Sequence, residues 1–237
     1  MRRFYLEEKI ELEKKFFIKN DLFNHVINVL KFKKNQNIVF FDITSNNFFC
    51  EILNVNKTNA EVIPLYKIPQ KVQSKIEIKV YQCIPKGNIL NDIIEKDVEL
   101  GVTEFTPIIS ERTIKRTKEF KEKWNEIIKN STQQCGRSRL MKINTPVYFK
   151  DLFKNEFDGE KIIFYENANE LIKLDFFNKK KKNSVHIILG PEGGFSLDEV
   201  NTANSNGFKS YSLGNNVLKC LTANILAVGF IYLLNSK

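Results

Sequence analysis

The run Val-His-Ile-Ile-Leu-Gly-Pro-Glu-Gly-Gly-Phe-Ser, residues 185–196, constrains this chain more than any other stretch. An apolar run that stops at Gly-Pro-Glu-Gly-Gly spells a buried strand entering a tight loop with few side chains. Ser196 then opens Ser-Leu-Asp-Glu, a capping box with Glu199 at the third helical position, so a helix follows. The loop therefore lies at the carboxyl end of a strand and the amino end of a helix. Backbone N–H groups are free there, and glycine lets a ligand approach the main chain. A strand–turn–helix corner with no ligand fits the same residues equally well.

The rest of the chain divides in two. Residues 1–70 are β-rich, with short β-prone runs at 38–42, 47–53 and 60–65 separated by Asn- and Thr-rich turns, as in a small barrel. Residues 21–30 have helical spacing, with Leu22, Val26, Val29 and Leu30 on one face. Pro64 and Pro69 punctuate this section, which sets a domain boundary near residue 70 and a second domain over 71–237. From residue 76 the pattern alternates. Strands are expected at 76–83, 105–109, 162–165, 185–189 and up to Gly214. Helices are expected at 89–100 with Gly101 as cap, at 120–134, after Ser196, and at 222–234. Alternating elements imply an α/β fold with a mostly parallel sheet covered by helices.

Charge is unevenly spread. The chain of 237 residues carries a net charge of +9. Residues 111–150 hold eleven basic and four acidic side chains, and so most of the excess. Arg112, Arg116, Arg137 and Arg139 fall there. Such a patch suits a phosphate backbone, whose contacts supply affinity without reading sequence. Lys/Glu interleaving at 118–123 also fits an ordinary solvated helix face. Arg137 and Arg139 lie outside that run and favour nucleic acid.

Several classes are excluded. There is no G-x-G-x-x-G after the first strand of the larger domain and no G-x-x-x-x-G-K-[ST], so the usual phosphate cradles are missing. Cys50, Cys83, Cys135 and Cys220 are scattered with no Cys-x-x-Cys pair, and His25 and His186 sit in apolar surroundings as packed residues. Neither a metal site nor a disulfide framework is expected. Residues 225–234 form the longest apolar stretch, too short for a membrane span, and the basic start is not followed by an apolar signal core. A cytoplasmic protein without membrane association is expected.

The ordered set of short motifs resembles the ribosomal small subunit methyltransferase E family, within the SPOUT superfamily of RNA methyltransferases. The resemblance covers nearly the whole chain. It is carried by Met-Arg-Arg-Phe-Tyr at the start and His-Val-Ile-Asn-Val-Leu-Lys at 25–31. Glu-Leu-Gly-Val at 99–102, Ser-Glu-Arg at 110–112 and Gln-Cys-Gly-Arg at 134–137 continue it. Leu-Gly-Pro-Glu-Gly-Gly-Phe at 189–195 and Ser212 to Leu218 complete it. The resemblance implies an N-terminal PUA-like β-barrel that helps bind RNA and a C-terminal α/β domain with a trefoil knot. It implies S-adenosylmethionine as cofactor, a homodimer, and methylation of N3 of one uridine in the decoding region of 16S ribosomal RNA, in the small ribosomal subunit.

In that frame Leu189, Gly190, Gly193, Gly194, Leu213, Gly214 and Leu218 shape the cofactor pocket through backbone and apolar contacts. Arg112 and Arg137 are the candidates for holding an RNA phosphate or the uracil oxygens. Glu192 either assists proton removal or holds the loop. Arg3, Arg116 and Arg139 are the expected RNA contacts, while Phe4 and Tyr5 either join them or pack the first strand. Lys31, Asn35 and Gln133 depart mildly from the family pattern. The segment 217–223, Val-Leu-Lys-Cys-Leu-Thr-Ala, departs more, because the family has Leu-Arg-x-Glu-Thr-Ala. Lys219 loses the guanidinium fork and Leu221 removes a carboxylate. A catalytically impaired RNA-binding relative and an enzyme modifying another RNA base are the alternatives.

Overall fold

The computed structural model describes residues 2–69, 76–114, 117–154, 156–172 and 183–235. Two compact units form it: Met1–Gln73 with Thr132–Leu140, and Ser74–Ser131 with Met141–Lys237.

The first unit is built on five strands: β1 (Arg3–Leu6), β2 (Phe16–Lys19), β3 (Asn37–Asp42), β4 (Asn47–Val55) and β5 (Asn59–Ile68). They form one sheet in the order β1-β3-β4-β5-β2, with β1 parallel to β3 and the other pairs antiparallel. Alternation selects the inner face, where Phe48, Cys50, Ile52, Ala60 and Val62 are buried. Phe4 joins that core, so it packs the first strand. Pro64 lies inside β5 opposite Cys50, beside a register shift between Phe49 and Cys50. A residue without an N–H is tolerated at such an irregularity, and the strand continues to Ile68.

The expected helix at 21–30 is one α-turn, α1 (Asn20–Phe23), that widens into a π-helical stretch over Asn24–Val29. Leu30 N–H reaches back five residues to the His25 carbonyl at 3.0 Å. The wider turn carries Val29 off the buried face, to 60% exposure, while Val26 stays fully buried. His25 is exposed as well, with its ring edge-on to Phe4. Asn35 takes φ 64°, the left-handed conformation its side chain tolerates.

Long-range hydrogen bonds bring Thr132–Leu140 into this unit. Tyr5 N–H donates to Gln133 Oε1 at 2.9 Å, and Asn47 Nδ2 donates to Ser138 Oγ at 2.6 Å. The Arg3 guanidinium donates to the carbonyls of Gly136 and Arg137, to Asn47 Oδ1 and to Ser138 Oγ. Partners 91 to 135 residues apart leave no local pattern, so a boundary read from residue 70 alone does not anticipate this segment.

The second unit alternates strand and helix. Its strands are β6 (Glu77–Cys83), β7 (Glu104–Ile109), β8 (Lys142–Ile143), β9 (Val147–Tyr148), β10 (Glu160–Phe164), β11 (Ser184–Leu189) and β12 (Lys209–Tyr211). Its helices are α2 (Ile89–Glu99), α3 (Lys123–Cys135), whose residues from Thr132 onward belong to the first unit, α4 (Phe149–Leu152), α5 (Leu197–Ser205) and α6 (Cys220–Asn235). The sheet runs β12-β10-β11-β6-β7-β8 with β9 beside β7, and every described pair is parallel. All six residues of β11 are buried, as a strand covered on both faces requires. Helix α2 ends in a Schellman motif. Val102 N–H bonds the Asp97 carbonyl, Gly101 N–H bonds the Val98 carbonyl, and Gly101 takes φ 83°.

His186 on β11 is locked as a neutral ring. Tyr81 O–H donates to Nδ1 at 2.9 Å, and Nε2–H donates to the Asp158 carbonyl at 2.6 Å. Burial, the larger effect, and Lys79 and Lys161 lower its pKa from 6.5, while the Asp158 carbonyl and carboxylate oppose them. A native pKa below the unfolded one means that the unfolded chain binds the proton more readily. The stabilising contribution of neutral His186 is therefore present above about pH 6.5 and is lost as pH falls through its native pKa. His186→Asn should flatten the fall in Tm between about pH 7 and pH 5, and an unchanged slope would remove His186 as the cause.

Candidate functional site

The capping box at the start of α5 forms as its sequence requires. Ser196 Oγ accepts from Glu199 N–H at 3.4 Å, and Glu199 Oε2 accepts from Ser196 N–H at 3.0 Å. The other carboxylate oxygen accepts from Glu111 N–H at 2.8 Å. One side chain thus ties the loop after β7 to the loop after β11. Next to Glu111, the exposed Arg112 donates from Nη1 to the Gly193 carbonyl at 2.9 Å. A Cβ on Gly193 would sit 3.4 Å from Arg112 Cβ.

Within the glycine loop, Gly194 N–H bonds the Pro191 carbonyl at 3.0 Å, closing a turn. Gly194 takes φ 65°, and a Cβ there would strike the Glu166 carboxylate. The left-handed backbone favours glycine there, and a side chain would have to displace the Glu166 carboxylate. At Gly190 a Cβ would press on the Phe195 ring at 3.2 Å. The second glycine loop is fastened by Ser212, whose hydroxyl donates to the Gly214 carbonyl at 2.9 Å and accepts from Gly214 N–H at 3.2 Å.

These loops meet around one pocket. Leu189, Gly190, Glu192, Gly194, Leu213, Gly214 and Leu218 line it, together with Phe164, Tyr165, Glu166, Asn216, Cys220 and Ala223. It lies at the carboxyl ends of β10, β11 and β12, three neighbouring parallel strands, which is where α/β sheets present ligand sites. Gly193 is turned toward Arg112 instead. The Tyr165–Glu166 loop carries no glycine motif. Its one signal is position, since Phe164 pairs with Leu189 and Tyr165 therefore falls level with Gly190.

Glu192 accepts from Lys86 N–H at 2.8 Å, which fastens the loop after β6. Burial first, and then Glu192, push the Cys220 thiol up to about 11, and Cys220 Sγ lies 3.7 Å from the Gly190 carbonyl. Burial raises the Cys83 thiol as well, so neither is a thiolate nucleophile near neutrality.

The arginines divide between the units. Arg112 belongs to the second unit, beside the glycine loop, whereas Arg137 and Arg139 lie in the Thr132–Leu140 segment of the first. Arg137 is half-buried, and desolvation is the main cause of its lowered pKa. Arg139 is exposed. Arg3 directs its guanidinium to four acceptors inside its own unit, a structural task that local sequence does not reveal. Arg116 lies outside the described residues. Lys219 is exposed, and Leu221 belongs to an outward apolar groove on α6 with Ile225, Leu226, Gly229 and Leu233.

A family model described as an RNA methyltransferase domain matches residues 72–232, and one described as an RNA methyltransferase PUA domain matches residues 18–65. The chain is 31% identical over 236 residues to the ribosomal RNA small subunit methyltransferase E of Buchnera aphidicola subsp. Schizaphis graminum, covering 95% of this chain and 93% of that one. It is 33% identical to the protein of that name from Mesomycoplasma hyopneumoniae, covering 95% and 96%. The crystal structure of a ribosomal RNA small subunit methyltransferase E from Neisseria gonorrhoeae bound to S-adenosyl methionine superposes with a TM-score of 0.89 at 27% identity, covering 99% and 98%.

The double grip of Glu199 has a measurable worth. Glu199→Ala should lower stability by about 1–2 kcal/mol in urea denaturation, and Glu199→Gln, which keeps the capping box, by less. Identical midpoints for Glu199→Ala and the parent chain would show that the grip contributes nothing.

Proposed function

The chain belongs to the RNA methyltransferase family, in its ribosomal RNA small subunit methyltransferase E branch, and on that premise we propose that methyl transfer to N3 of one uridine in the decoding region of 16S ribosomal RNA takes place at the pocket beyond β10, β11 and β12. It is an S-adenosylmethionine-dependent methyltransferase of ribosomal RNA, with a PUA-like N-terminal sheet and a C-terminal parallel-sheet domain. The observation that carries the assignment of the site is the convergence of three strand-end loops on one pocket, with Gly194 in its lining.

S-adenosylmethionine supplies an electrophilic methyl group on a positively charged sulfur. The pocket residues fit that group. Leu189, Leu213 and Leu218 offer apolar contact, Gly190, Gly194 and Gly214 offer backbone, and the Glu166 and Glu192 carboxylates suit a neighbouring positive charge. Gly193 serves indirectly, by anchoring Arg112. Attack by N3 needs in-line approach, loss of the N3 proton, and stabilisation of charge spreading onto the uracil oxygens. Arg112, exposed at the edge of the loop, is our candidate for the last task, and Arg137, in the other unit, is our candidate for holding an RNA phosphate. Glu192, held by Lys86 N–H, fits the role of loop anchor better than that of base. Arg139 and Arg116 supply phosphate contacts, and Arg3 positions the segment that bears Arg137 and Arg139.

The reading extends to the assembly. Helix α6 runs sixteen residues without a charge. Ala227, Val228 and Ile231 face inward, while Leu226 and Leu233 are 45% and 68% exposed. A second copy of this chain is the occupant we assign to that outer face, because the helix starts at Cys220 on the pocket wall and carries Leu221 where the family has a carboxylate. The loss of that carboxylate falls on the outer face and spares the pocket lining, which supports retained catalysis. The trefoil knot, the assembled small subunit as substrate and a cytoplasmic location belong to the same proposal. Among the described residues no helix is long and apolar enough to cross a membrane.

Labelled methyl should pass from S-adenosylmethionine to small subunits that lack the modification. It should give one reverse-transcription stop in the decoding region, since a methyl on N3 blocks pairing. Gly194→Arg should abolish both cofactor binding and transfer. RNA binding without transfer would favour the impaired relative, and a stop elsewhere would favour another base. For the assembly, sedimentation should find a dimer that Leu226→Glu converts to monomer, and a monomeric parent chain would end the dimer reading.

A further inference from the structure

Helix α2 carries an acid on its apolar face. Its buried residues are Leu90, Ile93, Ile94, Asp97 and Val98. Asp97, Asn224 and Gln82 are all fully enclosed. Asn224 on α6 donates from Nδ2 to Asp97 Oδ2 at 3.3 Å and to Gln82 Oε1 at 3.4 Å. Gln82 on β6 donates from Nε2 to the Gly190 carbonyl at 3.2 Å and to the Cys83 carbonyl at 3.1 Å. Three buried polar side chains therefore lead from the far helix to the first residue of the pocket loop.

That endpoint matters because the next residue is Pro191. The Gly190–Pro191 peptide has no N–H, so its carbonyl is its only hydrogen-bonding group. Gln82 Nε2 and, at 3.7 Å, the Cys220 thiol hold that oxygen, and so set the plane of the peptide where the loop leaves β11. We propose that Asp97, Asn224 and Gln82 act as positioning residues that fix the Gly190 carbonyl and so hold the pocket loop in its cofactor-binding shape. The inference rests on the pocket reading given above.

The relay also accounts for two stranded atoms. Asp97 Oδ1 and Asn224 Oδ1 have no donor among the described residues. Two buried acceptors cannot satisfy each other, and a buried carboxylate would add an unpaired charge. One proton removes both costs. As a carboxylic acid, Asp97 gains an O–H that can donate to an amide oxygen such as Asn224 Oδ1, while Oδ2 keeps the bond from Nδ2. Burial agrees, because it pushes the Asp97 carboxyl well above the ordinary range against the opposing Asn224 bond.

Calorimetry with S-adenosylmethionine on Asp97→Ala, Asp97→Asn, Gln82→Leu and Gly194→Arg tests the proposal, with near-ultraviolet circular dichroism to identify folded variants. Asp97→Ala and Gln82→Leu should weaken binding about tenfold, and in turnover the loss should fall on KM for the cofactor more than on kcat. Asp97→Asn should recover most of the loss, because its amide donates to Asn224 as the neutral acid does. Full affinity in Asp97→Ala, with binding abolished in Gly194→Arg, overturns the relay and leaves the pocket standing. Full affinity in Gly194→Arg overturns the pocket reading and the relay with it. Asp97→Asn as weak as Asp97→Ala overturns the neutral acid. Should Asp97→Ala not fold, infrared difference spectra of the parent chain against Asp97→Asn decide. A protonated carboxylic acid band present only in the parent is expected, its absence there overturns the neutral acid, and full affinity in Gln82→Leu overturns the relay.

Discussion

The double burial of β11 is the constraint on which the second unit depends. A strand with no face toward water needs a partner on each edge and a layer on each side. Its pairing with β10 and β6 fixes two registers at once, Leu189 opposite Phe164 and Leu189 opposite Gln82. The first brings the Tyr165–Glu166 loop level with Gly190. The second places the Gln82 amide where it reaches the Gly190 carbonyl. Pocket wall and pocket support are thus consequences of one strand's register, and a slip by one residue would turn every side chain of β11 to the opposite face.

What was legible in the sequence followed periodicity and short-range chemistry. The apolar run of β11, the Ser196–Glu199 box and the Gly101 cap appear where their residues place them, because each depends on neighbours within a few positions. The two glycine loops were legible as loops. That they share one pocket was expected as well, although the pairing of β10 with β12 that brings Leu189 and Leu213 together is not itself legible in the sequence. Glu166 was invisible for the same reason. Asp97 did leave a trace, an acid in phase with Leu90, Ile93 and Ile94 on an otherwise apolar stripe, and its partner Asn224 sits in a helix of sixteen residues without a charge. The widening of the first helix into a π-turn left no trace in spacing, and Val29 was misplaced with it.

Composition alone overstates the cations available to RNA. Within the basic segment, Lys142 pairs with Glu104 at 2.8 Å, and Lys118 lies 4.2 Å from the centre of the Tyr148 ring and 3.9 Å from Asp151. Arg112 holds a carbonyl, and Arg137 is half-buried. Exposed pairs of this kind add little to stability, yet they occupy the charges involved. The salt dependence of RNA binding therefore reports fewer phosphate contacts than the count of basic residues suggests.

Arg3 and Gly136 lie 133 positions apart, yet the guanidinium of one binds the carbonyl of the other. The strand at the very start of the chain finishes its bonding only with residues made more than halfway along it. During synthesis all five strands of the first sheet are made by Ile68, but the Thr132–Leu140 segment can join them only once it has left the ribosome. By then β6 and β7 are already made. Of the four Arg3 acceptors, Asn47 is made early with β4, whereas Gly136, Arg137 and Ser138 arrive only after β6 and β7.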